Sequence, residues 1–128
     1  MRSSVLLTFC LIPFIVGDDR EIRYDPATVV NITGVVEDIR EVAAPPAVRG
    51  IHFLIKAETG GVVDAYLGPT WFVQEFVSNF GKRSEVQVIG SKVKSGNSVI
   101  VLAREVRKGE ITLYLRDKDG NPFWNETT

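Results

Sequence analysis

One short stretch of helical periodicity interrupts a chain whose other apolar residues mostly alternate with polar ones. The stretch comprises residues 71–80 (WFVQEFVSNF). Phenylalanine recurs in it at every fourth position, at Phe72, Phe76 and Phe80, which is the spacing of one face of an α-helix. Thr70 is a favourable N-cap and Gly81 a favourable end, so the pattern predicts one short helix here and no other along the chain.

Six segments alternate with the two-residue period of a half-buried β-strand. Three of them precede the helix (residues 29–42, 51–58 and 62–67), and three follow it (residues 85–93, 98–107 and 111–116). Glycine-rich turns separate neighbouring segments, as at Gly60 and Gly61 between the second and the third. Gly34 and Gly90 lie inside strands, where glycine is typical of the bends that a small barrel needs in order to close.

The order of these elements predicts an all-β fold. Three strands, one helix and two further strands with an extra hairpin strand match a five- to six-stranded OB-type Greek-key barrel, whose short helix lies between strands 3 and 4. An SH3-like barrel lacks this helix, and a β-sandwich has more strands. In an OB barrel the phenylalanine face of the helix plugs the open bottom.

The first residues have the composition of an export signal. Arg2 precedes an apolar run, residues 5–16 (VLLTFCLIPFIV), which is shorter than the roughly 20 residues of a membrane span. Because Gly17 precedes two aspartates, we expect cleavage after Gly17 and a periplasmic or secreted product with no stable membrane span. The alternatives are a buried N-terminal strand and an uncleaved anchor. The predicted organisation is a signal peptide (1–17), an extended lead-in (18–28) and one OB-fold domain (29–124).

Charge and cysteine content narrow the range of functions. The chain has 15 Lys and Arg against 16 Asp and Glu, and cleavage would remove only Arg2 among the charged residues. The remaining domain is slightly acidic, whereas binding through phosphate neutralisation requires a basic surface, so nucleic acid is not the expected partner. Cys10 is the only cysteine and lies within the signal, so the exported domain would have no disulfide and no thiolate.

The sequence contains no recognisable pattern of catalytic or metal-ligating residues. His52 is the single histidine, whereas zinc and haem sites draw on several His or Cys ligands. No serine lies in a GxSxG context. Residues 117–121 (DKDGN) begin like a calcium loop but lack its distal glutamate, which favours a simple turn. We therefore expect no catalytic residue, no metal site and no cofactor.

A candidate ligand surface follows from the predicted barrel. OB domains bind across strands 2 and 3 and the flanking loops. The residues that this places on or near the surface are Arg49, His52, Lys56, Tyr66 and Trp71. Tyr66 and Trp71 have rings that can stack on a base or a sugar, but Asp64 and Leu54 share the face. For His52 the simpler interpretation is a surface or partly packed side chain, and for Trp124 it is a side chain that folds back over a barrel end.

The sequence resembles small secreted bacterial OB-fold proteins, both the periplasmic bacterial OB-fold group and magnetosome-type OB proteins. The residues that carry the resemblance are 32–36 (ITGVV), 67–72 (LGPTWF), 88–91 (VIGS), 103–106 (AREV), 115–117 (LRD) and 120–124 (GNPFW). The resemblance covers nearly all of the expected exported chain. It implies a binding or stress-related module and carries over no catalytic residue.

These observations predict an exported, non-enzymatic OB-fold binding module for a small ligand or a protein partner in the cell envelope. One alternative is binding of single-stranded nucleic acid or oligosaccharide through Tyr66, Trp71, Arg49 and Lys56. A second alternative is an accessory subunit of an envelope redox complex.

Overall fold

A computed structural model describes residues 22–43 and 48–125, so the predicted signal peptide and its cleavage site lie outside the described residues. In chain order the elements are β1 (Val29–Val42), β2 (Gly50–Ala57), β3 (Val62–Gly68), α1 (Thr70–Val77), β4 (Glu85–Ser95), β5 (Ser98–Lys108) and β6 (Ile111–Tyr114). Two 3-10 turns, Pro26–Thr28 and Phe123–Asn125, flank them. The prediction of six strands, with a single α-helix between the third and the fourth, is confirmed for the described residues.

The six strands form one sheet in the order β3-β2-β1-β4-β5-β6, and neighbours in this order run antiparallel. Ala65 and Tyr66 of β3 also pair in parallel with Val101 and Leu102 of β5. This pairing links the first strand of the order to the fifth. The sheet therefore closes on itself as a barrel-like structure, and β6 extends it as an additional strand on β5.

The interior of the barrel is filled by alternate residues of each strand. The inward set predicted for β2, which is Ile51, Phe53, Ile55 and Ala57, is buried. The other strands contribute Val36, Ala65, Leu67, Val86, Val88, Val101, Ala103 and Val106. Removing this apolar surface from water is the main favourable contribution to the free energy of folding. Few polar side chains of the described residues are buried with it.

The two strand glycines mark close approaches between backbones. A Cβ atom on Gly34 would lie 2.3 Å from the Lys56 carbonyl oxygen, and one on Gly90 would lie 2.2 Å from the Leu102 carbonyl oxygen. The strand register shifts next to Gly90, as predicted for a bend. In β1, however, the register shifts after Val36 and not at Gly34, where the sequence predicts the bend. Gly34 is instead required because a side chain there would collide with the backbone of β2.

The helix is shorter than the sequence predicts. Helix α1 ends at Val77 and its N-cap is Pro69, which has no side-chain hydrogen bond to the helix, so the prediction of Thr70 as N-cap is wrong. Phe80 lies beyond the helix, where its N–H donates to the Val77 carbonyl, yet it is one of the most deeply buried side chains. Val73 is the only residue of α1 that is fully buried.

The lead-in is attached to the barrel by a buried serine. The backbone N–H of Asp25 donates to Ser91 Oγ at 2.9 Å, and the Thr28 hydroxyl lies 2.8 Å from the same oxygen. The Asp25 carboxylate also accepts a hydrogen bond from the N–H of Ala27. The end of the lead-in is thus a capped 3-10 turn and not the extended chain that the sequence predicts.

Candidate functional site

His52 and Tyr66 lie side by side on the outer face of the barrel but are not accessible to solvent. They are register partners on β2 and β3, and their ring centroids are 5.2 Å apart. His52 is 2% exposed and Tyr66 is 7% exposed. The prediction that both contribute to an accessible surface is wrong in this respect, because other parts of the chain cover them.

The cover is a second, smaller apolar cluster outside the barrel. Its buried members are Tyr66, Ile100 and Leu102. Four partly buried residues pack against them: Ile22, Tyr24, Val48 and Val93. The lead-in and the end of the segment between β1 and β2 therefore turn the outer face of β3 and β5 into a core, which strand alternation alone does not predict.

Both ring nitrogens of His52 contact oxygen atoms. Nδ1 lies 2.7 Å from Asp64 Oδ1, and Nε2 lies 2.6 Å from the backbone oxygen of Val48. Burial acts to lower the pKa of His52, but the hydrogen bonds to Asp64 and Val48 and the charge of Asp64 outweigh it. The pKa of His52 is therefore raised above its ordinary value.

Arg116 lies between two aromatic rings next to this cluster. Its guanidinium carbon is 5.9 Å from the centroid of Tyr24 and 5.0 Å from that of Trp124. Nη1 donates to the Gly120 carbonyl at 2.9 Å. Burial lowers the pKa of Arg116 and raises that of Tyr66. The arrangement fastens the end of the described chain to the barrel, with Trp124 packed against Phe72 of α1.

The other three predicted binding residues are exposed but do not form one surface with His52 and Tyr66. Arg49 directly precedes β2, whereas Lys56 is four residues beyond His52 on that strand, or about 13 Å at the rise of a β-strand. Trp71 is 60% exposed on α1, where its ring meets the edge of Phe72. The five predicted residues thus divide into one buried pair and three separate exposed side chains.

A cavity that the alternating sequence pattern does not predict opens at the end of the barrel opposite α1. It has a volume of about 380 Å³ and is lined by residues from the starts of β1, β3 and β5, the later part of β4 and the hairpin between β2 and β3. Most of its lining is aliphatic: Val30, Ile32, Ala57, Val62, Val63, Val99 and Val101. We call this cavity the barrel mouth. One feature of the sequence points to it, since a single helix can plug only one end of a barrel.

Lys92 is the only charged residue among those that line the barrel mouth. It also borders a second, open groove of about 540 Å³ between the lead-in and β4, which Lys94 and Arg23 share. Val62 and Val99 are unusually exposed for large apolar side chains at the rim. The mouth therefore combines an apolar lining with one positive charge.

The possible calcium loop is a closed turn. Asp117 Oδ1 accepts hydrogen bonds from the N–H groups of Asp119 and Asn121, and Oδ2 accepts one from Asn121 Nδ2. These bonds, with the Asn121 side chain first, lower the pKa of Asp117. Over residues 22–43 and 48–125, no three His, Cys, Asp or Glu side chains are grouped closely enough to hold a metal ion.

The fold and the mouth define a small, barrel-like, mostly antiparallel β-protein with an apolar opening at one end. The chain belongs to the MamS/MamX magnetosome protein family, which matches residues 28–113. The match runs from the start of β1 into β6, so the barrel itself carries the family likeness. It confirms the magnetosome-type part of the resemblance and supports a bacterial protein. No curated protein and no solved structure matches the chain.

In the part of the chain that the structure describes, none of the helices has the length and apolar content required to cross a membrane.

Proposed function

We propose that this chain is an exported, non-enzymatic OB-type binding module of the cell envelope, and that its ligand enters the barrel mouth. The ligand is a small molecule with an apolar body, or an apolar side chain of a protein partner. The observation that carries the proposal is the aliphatic cavity of about 380 Å³ at the barrel end that α1 does not cover.

The OB assignment within this proposal is supported by strand order. Starting from β1, the pairings run β1-β2-β3-β5-β4 and return to β1. The helix between β3 and β4 and the parallel contact between β3 and β5 fit a five-stranded, partly open Greek-key barrel. In this arrangement β6 is an addition to the barrel.

The size and lining of the mouth suit a ligand of limited dimensions. Small-molecule pockets range from about 300 to 1,000 Å³ and combine apolar walls with a few polar groups. The mouth lies at the lower end of this range. Lys92, as its single charged lining residue, favours a ligand that carries a negative charge next to its apolar part.

The non-enzymatic part of the proposal is supported by the surroundings of His52. A buried histidine beside Asp64 has the geometry of an oriented general base, but such a base needs one nitrogen free to take a proton from a nucleophile. Here Nε2 lies against the Val48 carbonyl. A broad hydrolase screen on the exported form, with His52→Ala as comparison, tests this part, and turnover that disappears in the variant would contradict it.

The two alternatives have less support from the geometry. Stacking on a base or a sugar would rely on Tyr66 and Trp71, and only Trp71 is exposed. Titration with short oligonucleotides at low salt separates this alternative from the proposal. An accessory role in an envelope redox complex is the second alternative, and a pull-down from the native envelope tests it.

A dye titration tests the mouth directly. The probe is 1-anilinonaphthalene-8-sulfonate, an apolar ring system with one negative charge. Val99→Trp fills the rim of the mouth, and Ile111→Trp is its matched control because Val99 is 48% exposed and Ile111, on β6, is 47% exposed. We expect Val99→Trp to weaken dye binding at least tenfold and Ile111→Trp to leave it unchanged.

A charge variant refines the same experiment. Lys92→Gln should weaken binding of the sulfonate dye but not of the uncharged probe N-phenyl-1-naphthylamine. Circular dichroism of each variant establishes that the fold is retained. Equal dye binding by the unmodified protein and Val99→Trp would exclude the mouth as the site. Export is tested separately, since N-terminal sequencing of protein from the periplasm or medium should begin at Asp18.

A further inference from the structure

The hydrogen-bond partners of His52 determine how many protons its ring carries. The Val48 backbone oxygen near Nε2 can only accept a hydrogen bond, and the Asp64 carboxylate near Nδ1 also accepts when it is ionised. A neutral imidazole has one N–H and one lone pair. In the neutral ring, one of the two oxygens would therefore face a lone pair at 2.6–2.7 Å.

Both contacts are satisfied together when the ring is an imidazolium with two N–H donors. The Asp64 side chain is about one-third exposed, whereas the ring of His52 is buried. The geometry therefore corresponds to a buried His52 cation paired with an Asp64 anion.

The two hydrogen-bond partners of His52 differ in how firmly the sheet holds them. Asp64 lies within β3, which the sheet holds on both sides through β2 and β5. Val48 lies in the segment between β1 and β2, outside any strand, and packs against the outer apolar cluster. Of the two hydrogen bonds, the one to Val48 is thus the one that can open without disturbing the sheet.

We propose that protonated His52 is a latch that holds Val48, just before β2, against the outer face of the barrel, and that loss of its proton releases the Val48 contact. Release of Val48 removes part of the cover over Tyr66, Ile100 and Leu102. The latch is independent of the barrel mouth, whose lining includes neither His52 nor Val48.

Among the charged groups around the ring, the Asp64 carboxylate favours the cation, whereas the arginines oppose it. From β3 the ring faces Asp64 and Tyr66. From β1 its register partner is Arg40, which is itself paired with Asp38 at 3.1 Å. Two further arginines belong to neighbouring parts of the chain: Arg49 precedes β2, and the charge of Arg116 acts on the ionisation of Tyr66. Asp64 is the carboxylate in direct contact with the ring among the described residues.

The direction of the pH dependence follows from these contacts. The folded-state pKa of His52 is raised relative to its ordinary value, which represents the unfolded chain. The stability that the latch contributes is fully present below the ordinary value and is lost as the pH rises through the raised one. The latch is therefore closed on the acidic side and opens on the alkaline side.

Nitrogen-15 NMR on the full chain tests the latch, because His52 is the single histidine and gives one imidazole spin system. At acidic pH we expect both ring nitrogens to carry a proton. We expect one titration with a midpoint above the ordinary imidazole value of about 6.5, and the Val48 methyl and Arg49 amide signals should shift with the same midpoint. A midpoint at or below the ordinary value would overturn the proposal, and so would Val48 signals that do not follow the ring.

Two variants separate the latch from a general pH effect. Asp64→Asn keeps the shape and an acceptor oxygen but removes the charge, so the His52 midpoint should fall. Glu85→Gln is the matched control, since Glu85 is an exposed carboxylate at the start of β4, and it should leave the midpoint unchanged. Equal midpoints in the two variants would contradict the ion pair. The titration of the unmodified chain decides the question even where Asp64→Asn fails to fold.

Discussion

Phe80 is the residue whose truncation we expect to cost most among the aromatic residues of the helical segment. Their four-residue spacing predicts that Phe72, Phe76 and Phe80 are buried to the same extent on one helix face, whereas in the structure they differ in burial. Phe80 is 1% exposed and its ring centroid is 6.3 Å from that of Phe53 in the barrel interior. Phe72 and Phe76 are only partly buried and pack against the core from outside.

The magnitude follows from this difference in burial. Replacing a fully buried phenylalanine by alanine loses its transfer free energy and leaves a cavity, for a total of about 3–5 kcal/mol. Folded domains of this size have roughly 5–15 kcal/mol of stability, so Phe80→Ala should remove a large part of it. Phe76→Ala should cost clearly less, and Trp71→Ala, at a side chain that is 60% exposed, should stay within about 0.5 kcal/mol.

Urea unfolding followed by far-ultraviolet circular dichroism measures these differences. With a slope of about 1.5 kcal/mol per M, a loss of about 3 kcal/mol lowers the midpoint by about 2 M. Where Phe80→Ala is too unstable to give a folded baseline, Phe80→Leu provides a smaller loss of about 1 kcal/mol on the same scale. Equal losses for Phe80→Ala and Phe76→Ala would refute the conclusion that Phe80, and not the stripe as a whole, plugs the barrel.

Three further predictions concern other parts of the fold. Gly90→Ala should cost more than about 2 kcal/mol in urea unfolding, because its Cβ would lie 2.2 Å from a backbone oxygen of β5, whereas Gly81→Ala, with open space around it, should be near neutral. Asn121→Ala should raise the pKa of Asp117 towards its ordinary value, which a carbon-13 titration measures. Because the pKa of Asp117 is lowered in the folded chain, the stability that its hydrogen bonds give the turn should be lost as the pH falls through that lowered pKa. Trp124→Ala should cost about 2–3 kcal/mol in urea unfolding, less than a fully buried aromatic. In the Trp71→Phe variant Trp124 is the single tryptophan, so the fluorescence of that variant reports directly on the packing of this ring.

The strands and the inward sets could be predicted from the sequence because they depend on local periodicity. The bounds of β1 match the predicted residues, and Phe53 and Ile55 are buried as their alternation requires. Apolar residues at every second position have one stable arrangement, with that face away from water. The helix between β3 and β4 could be predicted for the same reason. Its end could not, because the chain leaves the helix after Val77 and Phe80 packs into the barrel interior.

The candidate site depended on contacts between residues far apart in the chain. Alternation correctly placed His52 and Tyr66 on the outer face, but their burial comes from Tyr24 and Val48, which approach from other segments. The proton on His52 likewise depends on two oxygens that the fold brings to its ring. The short helical stretch and the six alternating strands were thus determined by the sequence alone. The particular pairing of β3 with β5 that closes the predicted barrel, the lining of the mouth and the covered outer face were decided by the tertiary structure, because long-range packing and hydrogen bonding leave no periodic trace in the sequence.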